Sequence, residues 1–211
     1  MTQVATVTEL RSYPVRSMDG PTLTSAEVTV DGLAGDRAWL VVDADGAVVS
    51  SRQTPELGAV QVTSMPAERD GPDDQHGPVL DLPGAARSVV GRAADDALSA
   101  YLGTPVRLQT APGRRPGVAA VHLVSRQAVA ASIGTTSEDP ACDLESPRAN
   151  LTLDLGEDPP ADLERAWVGR DLVVGAVVLH VDRVPKHCLG VYVEVVTPGR
   201  INLGDPVHLR D

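Results

Sequence analysis

The stretch Ala38-Trp39-Leu40-Val41-Val42-Asp43-Ala44-Asp45-Gly46-Ala47-Val48-Val49-Ser50 decides the fold class. Two short Val-rich runs flank Asp43-Ala44-Asp45-Gly46. Asp and Gly tolerate the positive φ that a tight hairpin turn demands. The pattern recurs outward along the chain. Val4–Leu10, Ala26–Val30, Ala59–Thr63 and Val106–Gln109 are short and rich in Val, and Gly, Asp and Pro punctuate them. Further on come Ala149–Leu153, Asp171–Val174, Val177–Asp182, Val191–Val196 and Pro206–Leu209. Two segments read as helices. Ala93–Leu102 puts Leu98, Tyr101 and Leu102 on one side and stops at Gly103. Arg126–Ile133 follows an N-cap at Ser125 and stops at Gly134. The expected class is mainly β with a few short helices, as a barrel or sandwich.

Ala111-Pro112-Gly113-Arg114-Arg115-Pro116-Gly117 breaks every periodicity and is the natural boundary between domains at 1–112 and 113–211. Arg69–Pro78 reads as a polar surface loop and Gly134–Pro147 as another. The net charge of -11 argues against an extended nucleic-acid or anionic-membrane surface, so neither partner is expected. An anionic ligand would need a local Arg cluster. Met1–Glu9 has neither a basic segment nor a long apolar one, and Leu172–Val181 is too short to span a bilayer. A cytoplasmic setting is the expectation. There, free thiols are favoured over a bridge between the two cysteines, Cys142 and Cys188.

The chain holds no Walker loop, GxGxxG, HExxH, CxxC or GxSxG, and its five His have no close ligand spacing. Four segments remain. Tyr13-Pro14-Val15-Arg16-Ser17 sets a guanidinium beside a hydroxyl, a pair of donors that suits phosphate. Gly32-Leu33-Ala34-Gly35-Asp36-Arg37-Ala38-Trp39 is a Gly-flanked turn in which Asp36 can brace Arg37. In Ser146-Pro147-Arg148-Ala149-Asn150-Leu151, Arg148 and Asn150 share one face of a strand. In Arg183-Val184-Pro185-Lys186-His187-Cys188-Leu189-Gly190, the only Lys and a His precede Cys188. Neighbouring cations raise the thiolate fraction, the form that binds metals and attacks electrophiles. Each segment also has an ordinary reading, as solvated Arg, turn Gly or inert thiol.

Taken in order, these segments resemble the MOSC family, the domains related to the C-terminal part of molybdenum cofactor sulfurases. An N-terminal β-barrel domain like that of amidoxime-reducing components precedes it here. The likeness rests on Tyr13–Ser17, on Gly32–Trp39 and on Ser51-Arg52-Gln53-Thr54-Pro55, then on Val121-His122-Leu123-Val124-Ser125 and Pro147–Leu151. It continues through Trp167-Val168-Gly169-Arg170-Asp171-Leu172-Val173-Val174-Gly175, Cys188 and the closing Pro198-Gly199-Arg200-Ile201-Asn202-Leu203-Gly204-Asp205.

The resemblance implies a molybdenum cofactor, a metal-bearing molybdopterin. Cys188 would be its metal ligand and catalytic residue, a soft thiolate suited to that metal. Arg16, Ser17 and Arg37 would hold the phosphate, with Arg148 and Asn150 on the pterin or phosphate. Ser125, at a helix N-terminus, would either add to this or serve as a plain cap. His187 stands where the family most often has Arg, and only Leu189–Thr197 separate Cys188 from Pro198. The resemblance implies an oxidoreductase acting on N-oxygenated or similar small substrates. No ferredoxin-like segment follows, so electrons would come from a separate protein. The alternatives are a cofactor or sulfur carrier, with a Cys188 persulfide charged by a cysteine desulfurase-like donor, and a barrel that has lost its site.

Overall fold

The computed structural model describes residues 1–64, 77–114, 118–137, 142–157 and 159–210. The loop expected at Arg69–Pro78 falls largely outside them, as do residues 115–117 of the expected boundary. The chain runs through β1 (Thr2–Arg11), β2 (Thr22–Leu23), β3 (Ser25–Thr29), β4 (Gly32–Leu33), β5 (Trp39–Asp43), β6 (Val48–Val49), β7 (Gln61–Ser64) and β8 (Val79–Asp81). Then come α1 (Arg92–Leu102), β9 (Val106–Thr110), β10 (Val121–Ser125), α2 (Arg126–Ala131), β11 (Leu151–Asp154) and β12 (Asp171–Val174). The chain closes with β13 (Val177–Arg183), β14 (Val191–Thr197), β15 (Gly199–Asn202) and β16 (Pro206–Arg210). It forms two compact units that interleave in sequence. Met1–Arg11, Thr22–Ala34 and Arg114–Asp211 build the first; Ser12–Pro21 and Gly35–Gly113 build the second.

The first unit is a closed barrel of seven strands. They run β11-β10-β14-β13-β12-β16-β1, and β1 pairs back onto β11 through Leu10 opposite Leu151. Only the β10–β11 pair is parallel, and a parallel pair cannot be joined by a tight turn. α2 and the segment up to Asn150 supply the crossover.

The barrel is filled by the inward positions of its strands. Leu10, Leu151, Leu153, Leu172 and Leu179 are fully buried, each worth about 2 kcal/mol relative to exposure. β12 alternates as a half-buried strand should, with Leu172 and Val174 inside. β10 does not alternate, because all five of its residues are buried. Val121 and Leu123 face the barrel core, while Val124 packs with Ala128 and Ala149 in a separate cluster. A strand covered on both faces loses the period-two signal, which is why Val121–Ser125 lacks the pattern of a strand in the sequence.

Helix α2 begins as expected. Ser125 Oγ accepts the Ala128 N–H at 3.0 Å. It ends at Ala131, short of the expected Ile133, whose side chain is 69% exposed and has no core to join. Ser132 closes the turn, its hydroxyl directed at the carbonyls of Val129 and Leu144. At the far end of the crossover, the Asp154 carboxyl is held below its usual range by the Gln127 amide, then the Gly156 N–H, then Arg126.

The second unit holds the sheet β6-β5-β9, the pair β7-β8 and α1 around Val15, Met18, Val41, Leu57, Leu80 and Leu98. Its β5–β6 hairpin forms on the turn read from the sequence. Gly46 has φ 81°, and Asp43 Oδ1 accepts the N–H groups of Asp45 and Ala47.

One glycine fixes the approach of the Cys188 turn to the barrel wall. Gly190 has φ 74°, and a Cβ there would sit 2.0 Å from the Leu123 carbonyl oxygen. Gly190→Ala is therefore expected to cost about 3 kcal/mol or more in denaturant unfolding. Gly134→Ala, at a similar φ of 78° but with open space around it, should cost only about 1 kcal/mol. Equal losses at the two positions would show that backbone conformation, not the close approach, sets the requirement.

Candidate functional site

In the barrel unit the Cys188 turn leaves β13 and returns through Gly190 into β14. Three successive carbonyls of this turn each accept a hydrogen bond from a side chain. Ser137 Oγ donates to His187 O at 2.7 Å, and Arg165 Nη2 donates to Cys188 O at 3.2 Å. His122 Nε2 lies 2.9 Å from Leu189 O, so that nitrogen carries the proton. These donors come from three different stretches of chain. The turn is thus held rigidly by groups outside it.

The expectation of a free thiol is corrected here. Cys188 is bonded to Cys142, their Cα atoms 5.8 Å apart across 46 positions of sequence, and no cysteine is free. A reducing compartment governs whether disulfides persist, not which thiols meet; their proximity comes from the fold alone. Closing a loop of that length restricts the unfolded chain by about 4 kcal/mol.

Ser125 and Asn150 join the neighbourhood of Cys188 in ways that differ from direct ligand contacts. Ser125 is fully buried. Its N–H and hydroxyl both donate to Glu164 Oε1 at 3.0 Å, while its oxygen caps α2. α2 spans only six residues and offers no extended anion-binding end. Glu164, itself fully buried, sits next to Arg165 in the 3-10 turn Leu163–Trp167, so one short turn braces both Ser125 and the Cys188 carbonyl. Asn150 is also fully buried. Its Oδ1 accepts His122 N–H at 3.2 Å and its Nδ2 donates to Arg11 O at 3.3 Å, which ties β1 to β10. Arg148, two residues earlier, is partly exposed.

His122, Ser137, Glu164 and Arg165 were not legible as site residues. The signal present in the sequence is the charged pair Glu164-Arg165, one residue short of Trp167. Such pairs usually read as a solvated turn.

The second unit gathers Arg16, Ser17 and Arg37. Val15 bridges to Trp39, and Arg16 N–H donates to Trp39 O at 2.9 Å, which lays the two segments side by side. Arg37 N–H donates to Tyr13 O at 2.8 Å, and the Arg37 guanidinium lies 5.7 Å from the Tyr13 ring centre. Asp36 accepts the Tyr13 N–H at 2.7 Å through one oxygen and pairs with Arg37 through the other, as expected of a bracing carboxylate. Ser17 and Arg37 are the non-glycine residues with positive φ among the described residues, at 70° and 51°. Such backbone is costly and persists where the surroundings over-determine it, often at ligand sites.

Among the described residues no group of three or more His, Cys, Asp and Glu could hold a metal by itself, and no helix is long and apolar enough to cross a membrane. Residues 4–104 match the family described as the MOSC N-terminal beta barrel domain. Mitochondrial amidoxime reducing component 2 of Bos taurus is 45% identical over 65 residues, 29% of this chain and 19% of its own length. Mitochondrial amidoxime-reducing component 1 of Homo sapiens is 42% identical over a stretch of the same extent. The match thus spans about a fifth of these relatives. The crystal structure of the YUAD protein from Bacillus subtilis aligns over 98% of this chain and 97% of its own, with a TM-score of 0.46 and 13% identity. Residues 4–104 thus carry a MOSC N-terminal beta barrel domain, and the chain is similar to the amidoxime reducing components over 65 residues.

Proposed function

We propose that the protein binds a molybdenum cofactor through Cys188 in its reduced state and acts as an oxidoreductase on N-oxygenated or similar small molecules. The observation that carries this reading is the strained backbone at Ser17 and Arg37. Nothing in a turn by itself favours positive φ at an Arg, and both residues sit where the phosphate contacts are expected.

The residues fit such a cofactor in one state only. As a cystine, Cys188 has no lone thiolate to offer. As a thiolate it is a soft ligand on a turn already held by Ser137, Arg165 and His122. Arg16, Ser17 and Arg37 would bind the phosphate, with Arg37 oriented by Asp36. Arg148 would contribute a further cation. Ser125 and Asn150 would act as positioning groups, since both are buried and engaged within the protein. The bound group supplies two-electron chemistry; the chain supplies orientation, charge and exclusion of water. Electrons would come from a separate protein, in a reducing cytoplasm that keeps Cys188 as a thiol.

Protein made in a cofactor-competent host and purified under reducing conditions is expected to carry molybdenum, and Cys188→Ala should lose it while keeping its circular dichroism spectrum. Unchanged metal content in that variant would remove Cys188 as the ligand. Arg37→Ala and Arg16→Ala should each weaken retention roughly tenfold, the loss of one charge-assisted contact. Retention equal to wild type in both would place the phosphate elsewhere. N-hydroxylated test compounds should be reduced in the presence of an artificial electron donor, and inactivity across a broad panel would count against the substrate class.

A second reading, the sulfur carrier, draws support from the second thiol within bonding distance of Cys188. Mass spectrometry after incubation with a cysteine desulfurase and cysteine decides it. A persulfide on Cys188 supports it, and repeated absence removes it.

A further inference from the structure

The two cysteines of the chain are bonded to each other, and one of them is the proposed ligand. We propose that the Cys142–Cys188 bond is a reversible dithiol/disulfide gate that masks Cys188 when oxidised and exposes a preorganised ligand when reduced. What the gate controls rests on the reading of Cys188 given under the proposed function; the reversibility of the bond does not.

The asymmetry of the two partners supports a gate. Cys188 is only partly buried, and the turn that carries it is pinned at three consecutive carbonyls. Gly190 seats the end of that turn against Leu123. None of these contacts involves the sulfur atoms, so opening the bond leaves Cys188 where it stands. Cys142 is held differently. It is 8% exposed and lies in the connection between α2 and β11. There Asp143 Oδ1 accepts the Glu145 and Ser146 N–H groups, and Leu144 O accepts the Ser132 hydroxyl. The partner whose own carbonyl accepts a side-chain bond from another segment is the one with a proposed task.

The chemistry balances with an external dithiol, a thioredoxin-like protein or dithiothreitol. A thiolate of the dithiol attacks the sulfur of Cys188, the less buried of the two residues. The Cys142–Cys188 bond breaks, a mixed disulfide forms, and Cys142 leaves as a thiolate that takes up a proton. The second thiol of the reductant attacks the mixed disulfide and releases Cys188. Overall the cystine gains two electrons and two protons, and the dithiol becomes a disulfide.

The test uses the full chain made without cofactor and purified in air. Iodoacetamide with mass spectrometry should find no alkylated cysteine in the folded protein. After dithiothreitol under native conditions it should find two, and a mild thiol oxidant should return the count to zero. Molybdenum cofactor released from a donor protein is then offered to each form, and retained molybdenum is measured after desalting. The reduced wild type should retain it and the oxidised wild type should lose most of that retention. Cys142→Ser should retain it whether or not it has met the oxidant.

Two alkylated cysteines before any reductant would overturn the proposal. So would a bond that opens only after denaturation, which would make it a structural staple. Equal retention by oxidised and reduced wild type would overturn it as well. If no form retains molybdenum beyond Cys188→Ser while the thiol counts cycle as expected, the cofactor reading fails and the reversible bond stands.

Discussion

The pairing of β1 with β11 is the constraint on which the barrel unit depends. A sheet with open edges presents unpaired N–H and C=O groups, and joining the first strand to β11 removes both edges together. β1 can do so because it is ten residues long and bends, with register shifts against both β16 and β11. Leu10 opposite Leu151 places two fully buried side chains at the seam. Beside them the Asn150 amide joins Arg11 O to His122 N–H, so the closure reaches β10 as well.

From that seam a chain of contacts leads to the proposed site. Asn150 holds His122, and His122 holds Leu189 O. The crossover that joins the parallel strands carries Ser125 at its start, and Glu164 buried beneath Ser125 is adjacent to Arg165 on Cys188 O. The site is therefore built from rigid parts of the barrel, and each part also has a structural duty. This dual use explains why Ser125 and Asn150 are better placed to position neighbours than to touch a ligand. A buried polar group whose bonds are all made inside the protein has none to spare.

In the second unit the economy is different. Arg16, Ser17 and Arg37 lie on short irregular segments held together by backbone bonds and by Asp36, and two of them adopt backbone that side chains rarely tolerate. Strain of this kind is sustained by the buried Tyr13 and Val15, which flank or contact the same segments. The Arg37 guanidinium is held further by Asp36 and faces the Tyr13 ring.

Much of this was legible in the residues. Val-rich runs of four to seven residues cannot make long helices and, with Gly, Asp and Pro between them, can only be strands; the Asp43–Gly46 turn and the Ser125 cap follow from local chemistry alone. The segments that carry Arg16, Arg37, Asn150 and Cys188 were legible too, because each is a short local pattern. The strand Val121–Ser125 was not, since burial on both faces erases alternation. Nor were Ser137, Glu164 and Arg165: Ser137 lies 50 positions and Arg165 23 positions before the residue it braces, and Glu164 lies 39 positions after Ser125. The sequence by itself determined the class of fold and nominated the side chains proposed for the site, because both rest on short stretches. Tertiary structure alone decided how the barrel closes, which donors hold the Cys188 turn, and that Cys142 reaches Cys188. Those depend on distances between residues far apart in the chain, and local chemistry carries no information about them.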